Sequence, residues 1–412
     1  MSRIAVVSGP DAGHALPTLG VASALAERGH EVVFCSGAGH AALAAAHGCA
    51  FRELPQLAPT SQDGDLGHLL WTRGADMAVA LADALSIHPP DLVVADVLTN
   101  AGGFAAQLLG RPWVEVVPHH LPDPAPDLPP VGLGRAPARH PLRRLDDRRI
   151  HVQQQRSLAL GRRQAAAAAR RIGLDRRVEP LLRLVATLPA LERRRRAWPE
   201  RVHVVGPLAV EPDLPPLAPP EGDEPLVVVT DSTATGVSGG LGRTALAGLC
   251  DLDVRLVVTS GDLHPRAGQR LVVGRGPHAP LLAGAALAVG PGGGGFVSKA
   301  AAAGVPLVVV PLQGDQREAA ARLREAGVAS VLAPARLSPR RLRWRVARAL
   351  ADPRPRVAVR RLAAQASHLG PHVAAALVEQ VLAGERPAAG GPDAHLPVAL
   401  VSPARQGPPG RR

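Results

Sequence analysis

Short runs of aliphatic and β-branched residues alternate along the first 120 residues with alanine-rich stretches of helical period. That is the pattern of a parallel sheet whose strands are joined by crossover helices. Ile4 to Val7, Glu31 to Cys35, Leu92 to Ala95 and Trp113 to Val117 predict strands. Thr18 to Arg28 predicts the first helix, with Leu19, Ala22 and Leu25 three residues apart and Gly29 as its stop. From Pro118 to Pro141 the density of proline breaks ladders and helices alike, which predicts a mobile surface lid or loop. Charged helical sequence follows over 143–172, then mixed helix and short strand up to Pro207.

The segment from Glu211 to Pro225 is so rich in proline that it reads as an extended, semi-rigid linker outside either core. After it the alternation restarts, with strands predicted at Leu226 to Val229, Val254 to Thr259, Ala286 to Val289 and Leu307 to Val310. Helices are predicted at 338–351, 354–369 and 372–383. The expected organisation is a first α/β domain over 1–210, a linker over 211–225, a second doubly wound domain over 226–384 and a disordered tail over 385–412.

Composition narrows the function. The apolar share of 46% permits two full cores, while no run approaches the roughly 20 apolar residues of a membrane span. Met1-Ser-Arg leads straight into a strand, so a soluble, cytoplasmic protein is expected. Cys35, Cys49 and Cys250 are too scattered for a disulfide framework or a Cys-rich zinc site. Lys plus Arg exceed Asp plus Glu by 12, almost wholly through arginine, because Lys299 is the one lysine. Two per cent aromatics and no tyrosine argue against a base-stacking nucleic-acid surface, yet the charge leaves a phosphate ligand welcome.

Candidate chemistry sits where strands end. His14 lies in the stretch after the first strand, at the carboxyl edge of a parallel sheet, where open α/β folds bind ligands. From position alone it reads first as a loop histidine bonded to backbone, and otherwise as a base for a substrate hydroxyl. Asp96, ending the third predicted strand, is either a helix cap or the carboxylate that orients His14. Gly290-Pro-Gly-Gly-Gly-Gly-Phe296 precedes a helix predicted over Val297 to Ala303; it is a flexible turn or a phosphate cradle. Asp315 with Glu318 suggests a capping box, leaving Gln316 for a ligand. Arg193 to Arg196 reads as a solvated face or turn, or else an anion site.

Taken in order, Gly13-His14-x-x-Pro17, Arg28-Gly-His-Glu-Val-Val-Phe34, Pro90-Asp-Leu-Val-Val-Ala-Asp96, Pro277-His-x-x-Leu-Leu282, Pro291-Gly-Gly-x-Gly295, Gly304-Val-Pro-Leu-Val-Val-Val-Pro311 and Asp315-Gln316 resemble the family 1 nucleotide-sugar glycosyltransferases, particularly their bacterial natural-product, macrolide-type branch. The resemblance spans about residues 3–383. It implies a GT-B fold, two facing Rossmann-like domains with parallel sheets, acceptor mainly on the first and donor mainly on the second. It further implies inverting transfer from a nucleoside diphosphate sugar to a small-molecule acceptor, with no obligatory metal or cofactor. No nucleic acid and no stable membrane insertion are expected. On this resemblance His14 matches the general base and Asp96 its partner. Ser232, Arg275, His278, Gly292, Gly293, Gly294, Gly295, Lys299, Asp315 and Gln316 are the donor-binding positions.

The chain also departs from the family pattern. Pro291 stands for a histidine at the pyrophosphate, Phe296 for a small hydroxyl residue, Lys299 for an acidic residue at the ribose, and Arg275 for an aromatic at the base. Thr230-Asp-Ser-Thr233 replaces a Ser-Leu-Gly-Ser turn. Those changes motivate a rival reading, a catalytically silent homologue serving as an auxiliary subunit. Transfer to a lipid-linked sugar at a membrane is a third, and would call for an exposed apolar and basic patch.

Overall fold

The computed structural model describes residues 1–54, 61, 64–208, 210–231, 240–388 and 390–400. The first half carries strands β1 (Arg3–Val7), β2 (Glu31–Ser36), β3 (Ala50–Glu53), β4 (Leu92–Asp96), β5 (Trp113–Val117), β6 (Leu182–Val185) and β7 (Val202–Val204). Its helices are α1 (Ala12–Glu27), α2 (Ala41–Ala46), α3 (Gly74–Ser86), α4 (Asn100–Leu108) and α5 (Pro141–Arg171). The second half carries β8 (Leu226–Thr230), β9 (Arg255–Thr259), β10 (Arg266–Gly268), β11 (Leu271–Gly274), β12 (Leu287–Gly290), β13 (Leu307–Val309) and β14 (Ala329–Val331). Its helices are α6 (Gly240–Leu249), α7 (His278–Ala283), α8 (Gly294–Ala302), α9 (Gln316–Glu325), α10 (Pro339–Ala351), α11 (Arg354–Ala366) and α12 (Pro371–Leu382).

The strands form two sheets, ordered β3-β2-β1-β4-β5-β6-β7 and β10-β11-β9-β8-β12-β13-β14. Every described pairing is parallel except β10 with β11. In each sheet the chain reverses its direction of winding between two central strands: β1 and β4 in the first, β8 and β12 in the second. A crevice opens at the carboxyl ends of such strands because the flanking loops diverge there. The central strands are buried along nearly their whole length, which is why they read as unbroken aliphatic runs.

Helix α1 buries Leu19, Val21, Ala22 and Leu25 on the first sheet. Its close approach requires Gly20, where an added Cβ would lie 1.7 Å from the Leu208 carbonyl oxygen. Gly20→Ala should therefore destabilise the protein by about 1–3 kcal/mol through overpacking against backbone. A thermal melt checks this, and an unchanged midpoint would mean that α1 sits further from Leu208.

Three expectations need correction. Helix α1 starts at Ala12, not Thr18: Asp11 caps it by accepting from the Gly13 amide at 2.7 Å, and Pro17 is carried inside the helix. The Pro118 to Pro141 stretch is irregular but anchored. Leu121 is fully buried, its amide donates to Glu192 at 3.1 Å, and Arg135 pairs with Asp146 and Asp147. The tail beyond 384 is docked as far as described, since Asp393 pairs with Arg194, His395 lies 3.0 Å from His203, and Leu396 is buried in the second core. Residues 401–412 lie outside the described residues.

The segments assigned to one domain by sequence also cross over. Helix α12 places Ala374, Ala375, Leu377, Val378 and Val381 in the first core, and Glu379 pairs with Arg28 at 2.5 Å. The proline-rich stretch 211–225 hugs the second domain: Leu217 packs on the second core, and Glu211 accepts from the His278 and Ala279 amides at 3.1 and 3.0 Å. No described helix is long and apolar enough to cross a membrane.

Candidate active site

The helix cap at Asp11 puts His14 in the first turn of α1, directly above the end of β1. Asp96 is the last residue of the neighbouring strand β4. Parallel registry of these strands, with Val7 opposite Ala95, brings the two side chains together: His14 Nδ1 lies 2.7 Å from Asp96 Oδ1. An ionised carboxylate only accepts, so Nδ1 carries the proton and the Nε2 lone pair is left free. The Asp96 side chain is 1% exposed and that of His14 is 19% exposed, so the pair is buried at the carboxylate and open at the imidazole.

Asp96 has a second duty. Its Oδ2 accepts from the Leu98 amide and from Thr99 Oγ1, each at 3.1 Å, and Thr99 Oγ1 in turn accepts from the Gly9 amide at 2.7 Å. Asp96 thus bonds the imidazole with one oxygen and the turn before α4 with the other; it does not cap the helix, whose cap position is Thr99. Burial pulls the His14 pKa down, but the hydrogen bond and charge of Asp96, with the charges of Asp11 and Asp315, outweigh it and hold the imidazole above its ordinary value. Asp315 belongs to the second domain, so both domains set the field at this ring.

Across the cleft, β12 ends in the glycine run. Gly292 has φ +94°, and a Cβ there would lie 2.9 Å from Val309 Cγ1. Gly294 lies against the first domain, where a Cβ would come within 2.9 Å of the Pro118 carbonyl oxygen. Gly293 occupies the cap position of α8 with no side chain closing it. The first amides of a nine-residue helix therefore have no side-chain cap, with the positive end of the helix dipole behind them. An anion is the chemical complement of that arrangement.

Comparison with known proteins decides the family. A family model described as the C-terminal domain of erythromycin biosynthesis protein CIII-like proteins matches residues 243–380. The 4'-demethylrebeccamycin synthase of Lentzea aerocolonigenes is 31% identical over 401 residues, covering 88% of this chain and 94% of the relative. The chain belongs to the family 1 glycosyltransferases, in their bacterial natural-product branch. Its GT-B fold matches the crystal structure of a calicheamicin glycosyltransferase at a TM-score of 0.72, with 25% identity over 93% of this chain and 98% of the other. A spinosyn rhamnosyltransferase solved with thymidine diphosphate matches in fold at a TM-score of 0.67, with 20% identity over 92% of this chain and all of the other.

In this glycosyltransferase several expected donor contacts are engaged elsewhere. Lys299 pairs with Glu211 at 2.9 Å, so its charge is answered by the linker instead of being free for a ligand. Phe296 is buried in the second core and meets the His278 ring edge-on, with centroids 5.1 Å apart. His278 Nε2 lies 2.8 Å from Thr259 Oγ1 and 3.3 Å from Thr230 Oγ1. Burial, with Lys299 nearby, lowers its pKa to about 4, so this imidazole is neutral at neutral pH. Arg275 is exposed just past β11. Ser232 lies outside the described residues, and Gly295 is the second residue of α8.

The Asp315 capping box does not form: Asp315 is exposed and caps nothing with its side chain, while Glu318 turns toward Arg193 and Arg322. Gln316 is buried, and its Oε1 accepts from the Leu312 and Gln313 amides at 2.9 and 3.0 Å, shaping the turn before α9. One site residue escaped the sequence reading. The His119 ring stands edge-on to His14 at 6.2 Å, with its Nδ1 donating to the His120 carbonyl at 2.8 Å. Its signal was available, since it follows β5 at the same carboxyl edge as Asp96.

Proposed function

We propose that this enzyme moves a sugar, with inversion, from a nucleoside diphosphate sugar to a hydroxyl of a small, largely apolar natural-product acceptor. The observation that carries the reading is the His14–Asp96 pair, held at 2.7 Å with His14 on α1, a helix in contact with the glycine-started helix α8. His14 Nε2 takes the acceptor's hydroxyl proton as the oxygen attacks the anomeric carbon. A new carbon–oxygen bond forms while the bond to the diphosphate breaks on the opposite face, and that electron pair leaves with the diphosphate. Asp96 stabilises the imidazolium so formed. The amides of Gly292 to Gly295 and the dipole of α8 stabilise charge on the departing group. The step uses no metal ion. The thymidine diphosphate in the spinosyn rhamnosyltransferase structure supports a nucleoside diphosphate here.

Backbone amides alone hold the diphosphate where the family pattern has a histidine, so binding should be measurable but weak, and weaker still as salt rises. Pro291→His should tighten it by roughly 1.5–3 kcal/mol, the contribution of a hydrogen bond to a charged group. Calorimetric titration of both proteins with UDP and dTDP tests this. Absence of binding to either protein at millimolar nucleotide would hand the chain to the silent-homologue reading.

A further inference from the structure

In the run Arg193 to Arg196, read from sequence as a solvated face or turn, Arg194 and Arg196 are exposed as that reading expects, while Arg193 is part of the joint between the domains. Arg193 forks onto Glu325 at 2.7 and 3.1 Å, reaches Glu318 Oε1 at 2.9 Å, and donates to the Arg135 carbonyl at 2.9 Å. Beside it Arg322, 3% exposed, donates to Glu192 at 2.6 Å and to Glu318 at 3.0 Å. Glu192 also accepts from the Leu121 amide and lies 3.2 Å from His120 Nδ1. Glu318, Arg322 and Glu325 are on α9; the other groups belong to the first half of the chain.

The acceptor-side segment 118–135 is fastened to α9 a second time, by its backbone. The Gly134 amide donates to Glu318 Oε2 at 3.2 Å. Gly134 has φ +61°, and a Cβ would come within 2.4 Å of the Arg317 carbonyl oxygen, so this approach depends on glycine. In this same first turn α9 begins beside the glycine loop, where a Cβ on Gly292 would lie 3.7 Å from the Gln316 carbonyl oxygen. One helical turn thus touches both the anion-binding loop and the acceptor-side segment. That segment also holds His119, beside His14.

We propose that α9 couples occupancy of the glycine loop to the shape of the acceptor side, with Glu318 and Arg322 as positioning residues. The inference rests on the nucleotide reading above. A buried ion network has few alternative arrangements, because breaking one contact strands a charge away from water. A ligand drawing α9 toward the glycine loop therefore carries Gly134 and Leu121 with it. Binding free energies linked this way are reciprocal, so an acceptor held by 118–135 would tighten nucleotide binding in turn.

Hydrogen–deuterium exchange on the full chain, with and without saturating dTDP or UDP, tests the proposal. In the wild type the nucleotide should slow exchange in 294–302 and also in 121–135, the part of the acceptor-side segment beyond the Pro118 contact with Gly294 and the His119 contact with His14, by roughly fivefold or more, as expected for ordinary couplings. Glu318→Gln keeps side-chain size and an oxygen for the Gly134 amide but drops the charge; Gly134→Ala drives the segment off α9 by contact. In both variants protection should persist in 294–302 and vanish in 121–135. Wild-type protection confined to 294–302, or protection of 121–135 that survives both changes, would overturn the coupling. Protection at neither place would sink the nucleotide reading itself, and this inference with it.

Discussion

His14→Ala should lower turnover per folded molecule by roughly 10²–10⁴, the usual loss when a general base is removed, while nucleotide affinity changes little. The asymmetry follows from position. His14 sits at the carboxyl edge of the first sheet, and the glycine loop belongs to the second. The variant should also be less stable, because Asp96 keeps its buried charge and loses one of its three partners. Rates must therefore be referred to folded protein, measured by near-ultraviolet circular dichroism alongside steady-state assays. Unchanged turnover would remove His14 from the mechanism.

Asp96→Asn should have an effect of the same order, and it separates orientation from fold. One asparagine oxygen can still accept from Leu98 and Thr99, so the turn survives. Toward His14 the amide presents N–H, which favours the tautomer protonated at Nε2, and that tautomer has no lone pair at Nε2 to take the acceptor's proton. Turnover should fall by about 10²–10⁴. The pH profile gives an independent sign. The base acts when neutral, so the rate rises through the His14 pKa, which in the wild type lies above the ordinary histidine value because Asp96 overcomes burial. Without the carboxylate, burial is opposed only by the more distant charges, and the inflection should move to lower pH. A lower melting temperature with an unaltered rate and inflection would make Asp96 an anchor for the turn and nothing more.

The legible parts of this chain are those where burial is complete. Central strands such as β4 and β8 are buried on both faces, so their sequences are continuous aliphatic runs bounded by turn residues. Edge strands were not legible. β3, β10 and β14 are exposed or half-exposed and carry mixed sequences such as Ala-Phe-Arg-Glu, with no apolar face to announce them. His14 and Asp96 could be singled out because a strand's end is readable and its carboxyl edge is where ligands bind; their contact could not, because strand order is a long-range property. The same limit hid Glu211 under Lys299 and the Arg193–Glu318 joint, pairs 88 and 125 residues apart. Charge type alone suggested Lys299 for a ligand, and only packing shows that its partner is the linker.

The most direct test is ³¹P NMR of purified protein incubated with dTDP-glucose or UDP-glucose and a panel of aromatic alcohols, comparing wild type with His14→Ala. Nucleoside diphosphate should be released by the wild type, faster with at least one alcohol than with water alone, and released far more slowly by the variant. Equal release by both proteins, or none by a wild type that binds the nucleotide, would contradict transfer driven by His14.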